Sequence, residues 1–201
     1  MAIIRIILDY FFLSNGSVLA AKVISSRWFP WGLWGLKIIP PFSIRGPIVL
    51  EGCSGSKIGK GFSCQGGLLI SGPVEIGSDV SINYGVFLSA GPKGHIVIGN
   101  DTLVGPNVIV RSDNHIYSQK EVPIRKQGHS GGKTSIGNDV WLGAAVAVIS
   151  GVSIGDGSVI GANSVVSRDI PPYQVAVGIP AVSIKARGSI SSNEQDPERR
   201  D

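Results

Sequence analysis

The sequence predicts an all-β protein, a three-sided parallel coil of short strands wound around a narrow apolar interior. Three observations predict it. Aliphatic residues recur at every sixth position through most of the chain, and Gly follows the first aliphatic of each successive set of three. Glycine is also abundant, 28 of 201 residues, while aromatic residues make up only 7%. Gly weakens helix interiors, so a helical protein is a poor fit to this composition.

Residues 1–50 form an N-terminal extension, expected to be partly helical. "MAIIRIILDYFFL" mixes apolar residues with Arg5 and Asp9 and can start an amphipathic helix, and "RWFPWGLWGLKIIPPF" then clusters Trp28, Trp31 and Trp34. The segment carries Arg5, Lys22, Arg27, Lys37 and Arg45 against Asp9, and so holds the whole net charge of +4. Two readings stay open. The segment caps the open end of the coil, whose first turn needs cover, or residues 1–45 make a peripheral membrane contact through basic and Trp side chains. Only 12 uncharged residues separate Asp9 from Lys22, against the roughly 18–20 needed to span a bilayer. No cleavable leader is evident. The remaining residues balance in charge, which argues against a nucleic-acid surface on the folded body. Cys53 and Cys64 offer neither a disulfide framework nor a zinc spacing, so a cytoplasmic location is expected, with or without contact to the inner face of the membrane.

Residues 51–187 form the coil domain. Ile58, Cys64, Ile70, Ile76, Ile82 and Leu88 are six apart, as are Ile98, Val104 and Val110, and then Ile136, Leu142, Val148, Ile154, Ile160 and Val166. Of these 15 positions 14 are Ile, Val or Leu, where the 58 such residues in 201 would supply four or five by chance. Gly59, Gly77, Gly99, Gly137 and Gly155 follow the first aliphatic of each triplet, and none follows the third. Three hexads therefore make one turn with three unequal sides, and Gly, Asn or Asp serves where the chain bends. Valines four positions after an aliphatic, such as Val80, Val86 and Val146, suit a narrow interior. Five coils at about 4.8 Å each make a prism of roughly 25 Å. Cys64 takes an inward slot and reads as an inert buried thiol; Cys53 is not read as a nucleophile. Residues 188–201 lack periodicity and read as a disordered tail.

The phase is broken twice. Four extra residues fall within 89–97, read as a corner loop. Between Val110 and Ile136 the spacing is one hexad plus 20 residues, and those 20, residues 116–135, begin directly after His115. A loop of that length in a compact domain is usually functional or disordered. It is expected to protrude and fold over a neighbouring surface.

The run "IGNDVWLGAAVAVISGVSIGDGSVIGANSVVSRDIPPYQVAVGIPA" resembles the hexapeptide-repeat acyltransferases, over about residues 58–185, and within them the galactoside, maltose and polysaccharide O-acetyltransferase branch. The resemblance implies a left-handed parallel β-helix, against the general preference for right-handed crossovers. It also implies a homotrimer with intersubunit sites, acetyl-CoA as acyl donor, and a carbohydrate acceptor in cell-surface polysaccharide biosynthesis. No metal is expected.

Acyl transfer from a thioester to a hydroxyl needs a base for the hydroxyl proton, and imidazole suits that task near neutral pH. His95 lies in the short insertion and His129 late in the long loop, whereas His115 ends a hexad and matches the family's catalytic histidine. Asn83 in "SINYG" matches a substrate-binding Asn, or is a side chain tolerated at a bend. Trp141 in "NDVWLG" resembles a Trp lining the pantetheine channel, or is a plug between subunits. Ala144 and Ala162 stand at matching bends where pantetheine could reach the backbone. Ser167 and Arg168 correspond to a hydroxyl-plus-lysine pair near the nucleotide, and Lys185 to a basic position. The chain departs from the pattern at Val182, where a basic residue is the family norm, and near Ser89 and Ala90, where an acidic sugar contact has no counterpart. The second departure argues against a galactoside or maltoside acceptor. Three other functions compete: sugar-amine or antibiotic N/O-acetylation, a zinc-dependent carbonic anhydrase-like site drawing on His95, His115 and His129, and a purely structural β-helix.

Overall fold

The structure is a computed structural model that describes residues 36–189. The expected N-terminal helix, the cluster of Trp28, Trp31 and Trp34, and the tail from residue 190 lie outside the described residues. Within them the hexad pattern becomes three parallel ladders. The first side stacks Lys37–Ile38, Lys57–Ile58, Val74–Ile76, His95–Ile98, Lys133–Ile136 and Ser153–Ile154. The second stacks Phe42–Ile44, Phe62–Cys64, Ser81–Ile82, Leu103–Val104, Trp141–Leu142 and Val159–Ile160. It then adds Gln174–Gly178 in parallel and Ala181–Ala186 in antiparallel. The third stacks Ile48–Glu51, Leu68–Ser71, Phe87–Ser89, Ile109–Arg111, Ala147–Val148 and Val165–Val166.

The register is the hexad. Ile58, Ile76, Ile98, Ile136 and Ile154 are successive partners on the first side, and all 15 hexad positions are at most 3% exposed. Each regular strand contributes at least one inward side chain per coil, and longer ones such as Leu68–Ser71 and His95–Ile98 contribute two, so each coil buries the apolar edge of the next.

The ladder begins earlier than the regular hexads. Lys37–Ile38, Phe42–Ile44 and Ile48–Glu51 already make a complete coil paired to the next one. Ile38, Ile44 and Leu50 keep the six-residue spacing, but two extra residues before Ile58 shift the phase and Ile39 stands where Gly would mark the side. Six coils, rather than five, rise about 29 Å. At the other end the antiparallel Ala181–Ala186 covers the edge that a seventh strand would leave open.

The glycines of the first corner do not serve a left-handed bend. The left-handed residues come two positions later, at Asp79, Asp101 and Asp139 among others. A Cβ on Gly59 would lie 2.6 Å from the Gly77 backbone, and one on Gly99 would lie 2.6 Å from Gly137. Gly is required there because successive coils approach too closely for a side chain. Beside this column the N–H groups of Ser78, Asn100 and Asn138 donate to Asn100 Oδ1, Asn138 Oδ1 and Asp156 Oδ1 at 2.8, 2.9 and 2.8 Å.

The three outer faces differ. On the first side Lys57, Glu75, Val97, Ser135 and Ser153 point outward; on the third, Leu69, Phe87, Ile109, Ala147 and Val165 form an unbroken apolar column. The second side turns apolar halfway, through Leu103, Trp141 and Val159. Among the described residues no helix is long and apolar enough to cross a membrane.

Candidate functional site

After Ile109–Arg111 the chain does not turn at once onto the first side. It runs on as Asp113–His115 and returns in antiparallel as His129–Gly131 before Lys133–Ile136 resumes the coil. The excursion over 116–135 therefore divides in two. Residues 116–128 form an arm whose root is closed by the Ile116 N–H donating to Gly128 O at 3.1 Å. Inside it, Gln127 accepts from the Gln119 N–H at 3.1 Å and donates to Gln119 O and Val122 O at 2.8 and 2.7 Å. Residues 129–135 belong to the ribbon and the returning coil.

The ribbon register sets His115 directly opposite His129, and their rings lie 4.4 Å apart, tilted by 45°. His115 is exposed on the single chain. Two residues earlier the strand turns inward, and Asp113 is 1% exposed. Its Oδ2 lies 2.9 Å from His129 Nδ1, and its Oδ1 lies 3.5 Å from the guanidinium of the partly exposed Arg111. A buried carboxylate needs such partners, since an unpaired buried charge is strongly destabilising.

The short insertion secures the ribbon's root. Ser112 donates its N–H to Ser89 O at 3.1 Å and its hydroxyl to Ala90 O at 3.2 Å. Gly91 lies against the Asp113 carboxylate, Gly94 against Ser112, and Gly131 against the Lys93 backbone, each too close for a Cβ. Thr134 adds a bond to Arg111 O at 2.8 Å. Sequence reasoning missed Asp113 and His129 as partners of His115. The one usable signal was an acid two positions before the histidine, the spacing that puts both on one face of a strand.

The other residues singled out by sequence fall into two groups. Ser167 and Arg168 follow Val166 at the corner between the third and first sides, the corner from which the His115 ribbon leaves. Asn83, Ala144 and Ala162 lie at the corner between the second and third sides, and Trp141 projects from the second side, 54% exposed. The full third side separates the groups within one chain. Asn83 caps its own bend, its Oδ1 accepting from the Tyr84 N–H at 2.8 Å. In the same column Gly105 and Gly143 exclude a Cβ, and among the described residues no acceptor meets the backbone N–H of Ala144 or Ala162. Lys185 is half-buried on the final antiparallel strand, with Val182 exposed on the same strand.

His95 does not join the other histidines; it pairs with Glu75 at 3.2 Å on the first side. Among the described residues no three His, Cys, Asp or Glu side chains gather as metal ligands. Cys53 and Cys64 are buried, and burial pushes both thiols up from their ordinary value.

A family model described as "Bacterial transferase hexapeptide (six repeats)" matches residues 133–168. The "Galactoside O-acetyltransferase" of Escherichia coli (strain K12) is 42% identical over 91 residues, which cover 45% of this chain and 43% of that protein. From the same organism, the protein named "Putative lipopolysaccharide biosynthesis O-acetyl transferase WbbJ" is 31% identical over 153 residues, covering 71% of this chain and 77% of that one. A solved galactoside acetyltransferase in complex with coenzyme A superposes with a TM-score of 0.52 at 29% identity, covering 72% of this chain and 65% of that one. The chain spans about half the length of several curated relatives that it matches.

Proposed function

This chain belongs to the hexapeptide-repeat acetyltransferase family, and we propose that it transfers an acetyl group from acetyl-CoA to a sugar hydroxyl in cell-surface polysaccharide biosynthesis. The observation that carries this reading is the placement of His115. Its imidazole stands at the root of the only long excursion between coils among the described residues, on a ribbon bonded to the prism on both strands. A base so held can reach a bound hydroxyl with little reorganisation.

In the proposed reaction His115 takes the acceptor hydroxyl proton as the oxygen attacks the thioester carbonyl. A tetrahedral intermediate forms and the carbon–sulfur bond then breaks. The proton held on His115 returns to the departing thiolate, so the products are the acetyl ester and CoA. The donor fits the residues present. The N–H groups of Ala144 and Ala162, which meet no acceptor among the described residues, lie at a corner with minimal side chains, a setting suited to the amide carbonyls of pantetheine. Ser167, Arg168 and Lys185 offer a hydroxyl and two cations toward the nucleotide phosphates.

His115 and the Ala144–Ala162 corner flank opposite edges of the third side, so one chain cannot bring them together. A homotrimer can. Its cyclic symmetry sets one edge of each protomer against the other edge of the next, and the apolar columns on the second and third sides provide faces to bury. Asn83 and Trp141 then line the seam with the carbohydrate acceptor and the donor. The reading puts the enzyme in the cytoplasm, with residues 1–45 able to touch the inner face of the membrane near lipid-linked glycans.

The test incubates purified protein with labelled acetyl-CoA and a panel of sugars, sugar amines, glycans and lipid-linked oligosaccharides. Label is expected on a hydroxyl, and His115→Ala is expected to lose about 10²–10⁴-fold in turnover. Wild-type turnover by that variant would remove His115 as the base. Label appearing on sugar amines alone would favour N-acetylation.

A further inference from the structure

We infer that Asp113 and His129 are positioning residues for His115: a buried carboxylate bonded to one imidazole, whose ring in turn lies against the base. This rests on the reading of His115 as the base and goes beyond it, because the second histidine and the acid come from geometry alone. Three observations converge. His129 is set opposite His115 by the ribbon register, and the two rings are 4.4 Å apart. Asp113 Oδ2 is 2.9 Å from His129 Nδ1. Asp113 is 1% exposed, so its charge is screened little by water.

The consequences are orientational and electrostatic. The Nδ1–H of His129 donates to Asp113, which fixes the plane of that ring and leaves its Nε2 on the outer side. The fixed ring then limits the rotation of His115 about its side-chain bonds. When His115 takes the hydroxyl proton, positive charge develops on its ring beside an imidazole anchored to a carboxylate. The carboxylate and the ring it anchors are already in place when the proton moves, which is where preorganised groups accelerate a reaction. Arg111 lies on the other carboxylate oxygen at the longer distance of 3.5 Å, with its own side chain 42% exposed. It satisfies Asp113 without replacing the histidine.

The short insertion belongs to the same device. Gly91 presses on the Asp113 carboxylate and Gly131 on the Lys93 backbone, so the acid is roofed by residues 91–94 from the coil before. Such a roof excludes water from the carboxylate and keeps it directed at His129.

The experiment compares Asp113→Asn, His129→Phe and His115→Ala with the wild type. It reads CoA release from acetyl-CoA, first with water and then with a mixture of the panel's monosaccharides as acceptor, and checks folding by circular dichroism. His129→Phe keeps a ring against His115 and removes the Nδ1–H. Asp113→Asn and His129→Phe are each expected to lower kcat tenfold or more while KM for acetyl-CoA stays within twofold. Their combination is expected to be no slower than the worse single variant, because the two act as one unit. Wild-type kcat in His129→Phe would show that ring packing alone suffices and would overturn the inference. Additive losses would overturn it too. Should the single variants fold poorly, Asp113→Asn combined with His129→Gln keeps a hydrogen bond between two neutral groups. That folded pair is expected to remain slow, and wild-type turnover by it would sink the proposal. Loss of turnover in His115→Ala beside unimpaired Asp113→Asn and His129→Phe would leave the base in place and reject only its two supports. Undiminished turnover in His115→Ala would reject the base itself.

Discussion

Gly91→Ala tests the seating of Asp113 without replacing any of the three site side chains. Gly91 has φ of +65°, in the left-handed region, where an L-residue pays roughly 1–2 kcal/mol. A Cβ there would also overlap the Asp113 carboxylate. The carboxylate must move, and the 2.9 Å bond to His129 is the contact it gives up; a hydrogen bond to a charged group contributes about 1.5–3 kcal/mol. The sum is about 2.5–5 kcal/mol. Gly55→Ala supplies the matching control. Gly55 has φ of +82°, and an added methyl would meet nothing within 4 Å, so only the backbone strain applies and the cost is about 1–2 kcal/mol. Urea unfolding of both variants reads the difference, and CoA release reads the site. Gly91→Ala is expected to lose both stability and turnover, and Gly55→Ala to lose stability alone. Equal losses in the two variants, in both measurements, would refute the idea that Gly91 is kept small for the sake of the acid beneath it.

Gly99→Ala places a methyl 2.6 Å from the Gly137 backbone, and overpacking against backbone that cannot shift should cost about 1–3 kcal/mol in urea unfolding. Ile109→Glu puts a charge in the middle of the apolar column on the third side. The expected result is a folded monomer by light scattering beside the trimer expected of the wild type, and an unchanged mass would remove that face from the interface. The raised thiols of Cys53 and Cys64 give a pH prediction. Burial keeps the folded thiols protonated above their ordinary value of 9.0, so above about pH 9 the unfolded chain binds fewer protons and stability falls as pH rises. The slope is at most about 1.4 kcal/mol per pH unit for each thiol, and Cys64→Val should remove one share of it while still filling its inward slot.

The prism was legible because its interior is narrow enough to demand one branched aliphatic per strand, a demand that writes itself into the sequence at fixed spacing. Ile58 through Val166 follow it without exception beyond Cys64, and all are buried. The first coil was not legible as coil, although Ile38, Ile44 and Leu50 obey the same spacing. Two extra residues before Ile58 take it out of phase, and backbone pairing, which tolerates a longer corner, restores it. The ribbon left still less trace. An antiparallel pair of three residues each has no period to detect, so His129 looked like a loop residue and Asp113 was not singled out.

The two breaks in phase show most clearly what periodicity omits. Counted along the chain, the four extra residues within 89–97 and the 20 at 116–135 are separate events, and nothing in their composition joins them. Both follow a strand of the third side, Phe87–Ser89 and Ile109–Arg111, and those strands are hydrogen-bonded neighbours. Coils stack in register, so insertions at the same corner of adjacent coils must meet. They do: the His95 N–H donates to Gly132 O at 3.0 Å and Gly131 lies against the Lys93 backbone, while at the ribbon's root Ala90 and Ser89 accept from Ser112 and Gly91 lies against Asp113. The frame that makes the repeat rigid also turns a distance of 22 residues along the chain, from Ala90 to Ser112, into a direct hydrogen bond. A solenoid can therefore build a local site from interruptions that are remote in sequence, provided they recur at one corner. Here that corner holds the histidine, the acid that faces its neighbour, and the loop that covers the acid.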